Sequence, residues 1–284
     1  MATFSFDRFL LALKCHFLVE RNSWMRLFGI YTLVMFMANL FFTRVQGMNY
    51  GFMVENWDME RVVRQYNNIV GDTVGFGIVF FCFAMLFCAS FMFSQMKDTR
   101  KRSAYLLWPV SNVEKYVVSF LYSVVFMTVL TVAAYVLADG LRVLTDWLTG
   151  RIVIWGFPKL AEFFSSNAIC ENWQTAWMFF AWVFYFHSLY IVGGTLFRRQ
   201  QFLMTSAVIV VVGILLIMTL NQVHPDVDIV TGTWDEKTRT YTQVFHPAFY
   251  ILTSVLTLLI FFHYWVSYNL FTRIQVINNK WLNV

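Results

Sequence analysis

Residues 202–220 read FLMTSAVIVVVGILLIMTL, a run without an ionisable side chain. As a helix it is long enough to cross the hydrocarbon core of a bilayer, about 30 Å thick. Five more runs of that length occur, at 24–42, 73–95, 116–138, 174–197 and 247–271. In hydrocarbon a backbone N–H or C=O has no water to bond, so such runs are expected to be helices. The runs at 73–95 and 116–138 also lack charged residues, and Arg26 sits at the edge of the first, where its stem can snorkel. Only 13% of the 284 residues are charged, against roughly a quarter in a soluble domain. The expected fold class is therefore all-α: a polytopic membrane protein with six transmembrane helices. Residues 1–284 are expected to form a single transmembrane domain with no appended soluble module.

The flanking charges orient the spans. With the N-terminus inside, the inner segments collect Arg8, Lys14, Arg21, Arg26, the 97–102 run, Lys115, Arg198, Arg199, Arg273 and Lys280. Against these the inner acids are Asp7, Glu20, Asp98 and Glu114, and the outer loops are net acidic. Basic residues near span ends stay cytoplasmic, so both termini are expected inside. The formal charge of +5 thus marks a membrane face, and no nucleic-acid partner is expected.

Residues 4–20 are expected to form an amphipathic helix, with Phe6, Leu10, Leu13 and Phe17 on one face and Asp7, Lys14 and Arg21 on another. It either lies along the inner interface or packs on the bundle. Lys14, His16 and Glu20 interrupt the stretch, and no small-x-small cleavage site follows, so no signal peptide is expected. Of the outer loops, 43–72 is polar, with a possible short helix around Asn56–Tyr66. Residues 139–173 are expected to hug the interface, with Pro158 opening a short helix through Phe164, and 229–242 resembles a β-hairpin.

No GxSxG, no P-loop and no HExxH occurs, so the chain is not expected to be an enzyme. The run His224-Pro-Asp226-Val-Asp228, with His246, offers metal-type donors but lacks the EF-hand spacing, and it is read as a solvated loop. Cys15, Cys82, Cys88 and Cys170 offer no disulfide framework, because only Cys170 falls outside. Within the spans, His187 and His263 are the candidate intramembrane polar sites. Each is either a relay group or a hydrogen-bonding partner of a neighbouring helix, the second being favoured.

The inner loop between spans two and three carries the most information. A basic cluster, Arg100, Lys101 and Arg102, is followed by Tyr105, Leu106, Leu107, Trp108 and Pro109, then by Ser111-x-x-Glu114. The last pattern is a capping box that starts the third span at about Asn112. Leu106, Leu107 and Trp108 are then apolar residues on a short cytoplasmic element, fit either for a protein partner or for anchoring at the lipid interface.

Six spans, an amphipathic N-terminal helix and the pattern Leu106-Leu107-x-Pro109-Val110-Ser111-x-x-Glu114 resemble permease subunits of type-2 ATP-binding-cassette (ABC) exporters. The segment Gly193-Gly194-Thr-Leu-Phe-Arg198-Arg199 is similar to such permeases as well. Trp108 departs from the small or leucine residue usual before the proline, and the polar loop 221–246 departs from the family's re-entrant helices. The resemblance implies a separate ATPase subunit that holds ATP and Mg, with no cofactor in this chain. It implies a homodimer or a pseudo-dimer with a related permease, embedded in lipid of a bacterial cytoplasmic (inner) membrane. Tyr105, Leu106, Leu107, Trp108, Pro109, Ser111 and Glu114 would form the coupling element that docks on the ATPase. Arg100, Lys101, Arg102, Arg198 and Arg199 would make a second cytoplasmic or lipid contact. The alternatives are a self-contained secondary transporter or channel, which would put work on His187 and His263, and a non-transporting scaffold or sensor subunit.

Overall fold

The structure is a computed structural model that describes residues 4–46, 59–96, 99–166, 172–197, 200–223, 229–235 and 240–273. In chain order the helices are α1 (Phe6–Val19), α2 (Arg21–Val45), α3 (Met59–Ser90), α4 (Thr99–Leu106), α5 (Asn112–Leu148), α6 (Phe157–Ser166), α7 (Trp173–Leu196), α8 (Gln201–Val223) and α9 (Pro247–Thr272). Strands β1 (Val230–Asp235) and β2 (Thr240–Phe245) precede α9. Among the described residues six helices, α2, α3, α5, α7, α8 and α9, are long and apolar enough to cross a membrane. They coincide with the six apolar runs.

Two helices outrun their apolar segments. α3 begins at Met59 rather than 73, so part of the loop expected at 43–72 is helical. Its first turns are polar, with Arg64 paired to Glu60 at 2.8 Å one turn away. α5 continues to Leu148 rather than ending at 138, and residues 139–148 are therefore helix and not interfacial loop. Hydropathy registers bilayer-length apolar stretches, whereas helices continue wherever their polar groups find partners. Residues 47–58, including the start of the helix expected around Asn56–Tyr66, lie outside the described residues. The helix expected at Pro158 forms as α6.

The described helices cluster into two compact units. The first comprises residues up to Cys88 together with Pro109–Thr175. In it α2 and α5 run side by side in the same direction, with Tyr31 packed on Ala134 and Ala84, and Met35 on Tyr135 and Ala138. The three alanines let the helix backbones approach closely. Near the start of α5, Phe9 and Ala12 of α1 pack on Val118, flanked by Leu13, Val117 and Leu121. His16 continues that stripe and meets the Tyr122 ring edge-on at 4.6 Å. The stripe is rotated from the expected one: Phe6 and Leu10 stay exposed, while Phe9, Ala12 and His16 are buried. A π-helical turn at Leu121–Phe126 interrupts α5 where this docking occurs.

The second unit comprises Ala89–Trp108 and the chain from Ala176 onward. Glycines set its spacing. A Cβ on Gly193 would lie 1.9 Å from Thr205 Oγ1 of α8, and one on Gly194 would lie 2.6 Å from the Ser90 carbonyl oxygen. Gln201 closes the bend between α7 and α8 by donating its side-chain amide to the Gly194 carbonyl at 2.7 Å. The expected hairpin forms with antiparallel register Val230↔Phe245 to Asp235↔Thr240, and its tip at 236–239 lies outside the described residues.

Candidate functional site

The loop between α3 and α5 is built on α4. Arg102 is fully buried and Tyr105 is 2% exposed, so α4 is held by side chains turned inward. The Tyr105 ring lies 5.2 Å from that of Trp108 and 6.5 Å from that of Phe271 on α9. Tyr105 and Arg102 thus anchor α4. Leu107 points the other way and is 78% exposed, and Pro109 is exposed with it. Leu106 and Trp108 are half-buried, and Arg100 and Lys101 are exposed. Arg198 and Arg199 lie outside the described residues.

The capping box forms as expected. The Glu114 backbone N–H donates to Ser111 Oγ at 3.3 Å, and the Ser111 N–H donates to Glu114 Oε2 at 2.7 Å. Its carboxylate does more. Glu114 Oε1 also accepts the Ser5 backbone N–H at 2.7 Å and the Arg8 guanidinium at 3.3 Å, so the fully buried side chain joins the start of α1 to the start of α5. Along α1, burial pushes the His16 imidazole well below its ordinary value, to about 4, with Glu20 pulling weakly the other way.

His187 and His263 form a reciprocal clasp between α7 and α9. His187 Nδ1 lies 3.0 Å from the Tyr264 hydroxyl, and His263 Nδ1 lies 3.0 Å from Ser188 Oγ. His187 is 2% exposed and His263 half-buried. Each histidine therefore bonds a neighbouring helix, the favoured of the two readings. His246 Nε2 lies 2.9 Å from Thr231 Oγ1, while His224, Asp226 and Asp228 are outside the described residues. Among the described residues no three His, Cys, Asp or Glu side chains gather as metal ligands.

A third cluster escaped the sequence reading, which found no acid or base deep in any span. Asp139, Arg142 and Asp146 share one face of α5 and are all fully buried. Arg142 Nη2 and Nε donate to Asp139 Oδ1 at 2.7 and 3.1 Å, and Nη1 donates to Asp146 Oδ2 at 3.0 Å. Arg142 Nη2 also reaches the Ile154 carbonyl at 2.6 Å. Asp139 Oδ2 accepts the backbone N–H groups of Gly156 and Phe157 at 2.8 and 3.0 Å, where α6 begins. Tyr66 of α3 donates to Asp146 Oδ2 at 2.6 Å, and Arg44 of α2 contacts Asp146 Oδ1 at 3.0 Å. Two carboxylates and two guanidiniums balance, tying α2, α3 and α5 to the 154–157 segment. The signal was Asp-x-x-Arg-x-x-x-Asp, whose spacing puts three charges on one helix face.

What α4 and its successor offer is a protruding apolar contact on a braced support. No family model, no curated protein and no solved structure matches the chain.

Proposed function

We propose that this chain is the membrane permease subunit of an exporter driven by a separate ATPase, of the type-2 ABC kind. The observation that carries the reading is the exposed Leu107 with Pro109, mounted on a short helix that buried Arg102 and Tyr105 hold in place. An isolated apolar side chain facing water on a rigid mount is the form of a hot spot that enters a partner's pocket. Six bilayer-length helices supply the membrane body. Two copies, or this chain with a related permease, pair with two ATPase subunits, and ATP with Mg resides in those partners.

In this mechanism closure of the ATPase pair on ATP moves Leu107 and Pro109. The capping box carries that displacement into α5, and Glu114 carries it into α1 as well. The permease then supplies two arrangements whose balance the ATPase biases. Exposed Arg100 and Lys101 steer the approach of the partner or hold anionic headgroups, and exposed Phe6, Leu10 and Leu11 seat α1 in the inner interface of the cytoplasmic membrane.

The test is affinity purification of the tagged chain from its native membrane in mild detergent. A P-loop ATPase is expected in stoichiometric amount, and Leu107→Asp is expected to remove it without altering the melting temperature, since Leu107 supports nothing in the fold. A homo-oligomer free of any ATPase would overturn the reading.

A further inference from the structure

Between α2, α3 and α5 lies a cavity of about 210 Å³, lined almost wholly by apolar atoms of side chains that include Tyr31, Met35, Phe80, Phe81, Thr131 and Tyr135. It exceeds the roughly 150 Å³ that suffices to hold a benzene ring in a protein core. Val132, also on its wall, is 39% exposed, so the cavity has a rim on the outer surface of the helices. Gly77 keeps it open: a Cβ there would lie 2.8 Å from Tyr135 Cε2, and its absence lets the ring rest against α3.

Water is a poor occupant, because a buried water needs two to four polar partners. Thr131 has already given its hydroxyl to the Met127 carbonyl at 2.7 Å. Hydrocarbon suits the lower part. The upper end differs. The Tyr135 side chain is 8% exposed, and its hydroxyl has no hydrogen-bond partner among the described residues. Asn39, on the same face of α2 as Tyr31 and Met35 and one turn beyond Met35, is 1% exposed, with neither amide atom partnered among them. Buried polar groups in native proteins are nearly always satisfied, so the orphan Tyr135 hydroxyl, on a residue that lines the cavity, points to a ligand with a polar head. The charges of the nearby network balance, Asp139 and Asp146 against Arg142 and Arg44, so no net charge there favours an ionic head.

We propose that this cavity binds a neutral single-chain amphiphile, its apolar chain among the α2, α3 and α5 side chains and its hydroxyl- or amide-bearing head on the Tyr135 hydroxyl. The site does not depend on any ATPase contact, and its test uses none.

The full chain is reconstituted in phosphatidylcholine vesicles with a monoacylglycerol that carries a mid-chain diazirine, or with an alkyl phosphate of the same chain. After irradiation the adducts are mapped by peptide mass spectrometry. Adducts from the monoacylglycerol are expected to concentrate on 77–81 and 131–135, to be displaced by unlabelled monoacylglycerol, and to exceed those from the alkyl phosphate. Val132→Trp, which fills the rim, is expected to remove them. Tyr135→Phe keeps the ring and loses one buried hydrogen bond, so labelling is expected to fall on the order of fivefold at limiting probe. That variant carries the test if Val132→Trp does not fold. Adduct density on 131–135 no higher than on α8, whose exposed faces sample bulk lipid, would overturn the proposal, as would equal labelling by the two heads or no change in Tyr135→Phe.

Discussion

A charge withdrawn from water persists only where hydrogen bonds and counter-charges replace the lost solvation. Glu114 meets that condition with two backbone N–H groups and Arg8, and Asp139 meets it with two backbone N–H groups and Arg142. Asp146 is placed differently: its fully buried carboxylate has Arg142, Tyr66 and Arg44, all side chains. Arg142 is the shared member, so its loss leaves two buried carboxylates short of a partner at once. Arg142→Met is expected to destabilise the protein by roughly 3–5 kcal/mol, the range for breaking a buried pair from one side. Asp139→Asn combined with Arg142→Met is expected to recover part of that loss, because the carboxylate left stranded is then neutral. Thermal unfolding of the detergent-solubilised variants checks both. Equal melting temperatures for Arg142→Met and the unaltered chain would show that the network contributes nothing to the fold.

Elements dock through residues that local sequence patterns only partly reveal. α1 is held on α5 by Phe9, Ala12 and His16 along one stripe and by the Ser5–Glu114 bond at its start. His16 makes this docking acid-sensitive. Its folded-state value, about 4, lies below the ordinary 6.5, so folding favours the neutral ring. The contribution is complete above about 6.5 and is lost as pH falls toward 4, up to about 3 kcal/mol at the acid end. Hydrogen-exchange protection factors over residues 6–19, taken relative to the intrinsic rate at each pH, are expected to fall between pH 7.5 and 5, and His16→Gln is expected to abolish that fall; unchanged protection in the unaltered chain would contradict the burial argument. The six spans were legible because lipid solvation requires long apolar runs. The capping box and α6 were legible because their signals are local, with Ser111 three residues from Glu114 and Pro158 at the helix start. The Ser5–Glu114 bond joins residues 109 apart, and nothing local announces it. α1 buries Phe9 rather than Phe6 because the docking surface on α5, and not the apolar moment of α1 alone, selects the face. The Asp139–Arg142–Asp146 set was missed because hydropathy counts each charge as a cost, whereas the three cancel one another on a single helix face. Leu106, Leu107 and Trp108 were expected together as apolar residues on a short cytoplasmic element; Leu107 is exposed, whereas the half-burial of the other two and the inward turn of Arg102 and Tyr105 have no local signal.

At the scale of the whole molecule the direction of the chain through the membrane decides whether the proposed function is possible. α5 has 37 residues and is therefore about 55 Å long, well beyond a hydrocarbon core of about 30 Å. Its ends cannot both lie in lipid, and they carry different chemistry. The first turn bears Glu114 and Lys115 and receives α1, while the last turns bear the balanced Asp139–Arg142–Asp146 network under the 151–157 segment. Basic residues crowd the segments before α2, between α3 and α5, and after α9, and the proposed function requires these segments to be cytoplasmic. Cys15 is exposed on α1, and Arg151 is exposed beyond the far end of α5, so the two sides can be addressed separately. In a chain with the other cysteines replaced, a membrane-impermeant maleimide applied to intact cells is expected to label Arg151→Cys and to spare Cys15. Lysed membranes are expected to label both. Labelling of Cys15 in intact cells would put α1 and the start of α5 on the side without ATP. The ATPase contact at Leu107 would then be impossible, whereas the amphiphile cavity, fixed by side chains of α2, α3 and α5, would stand with its polar head toward the opposite leaflet.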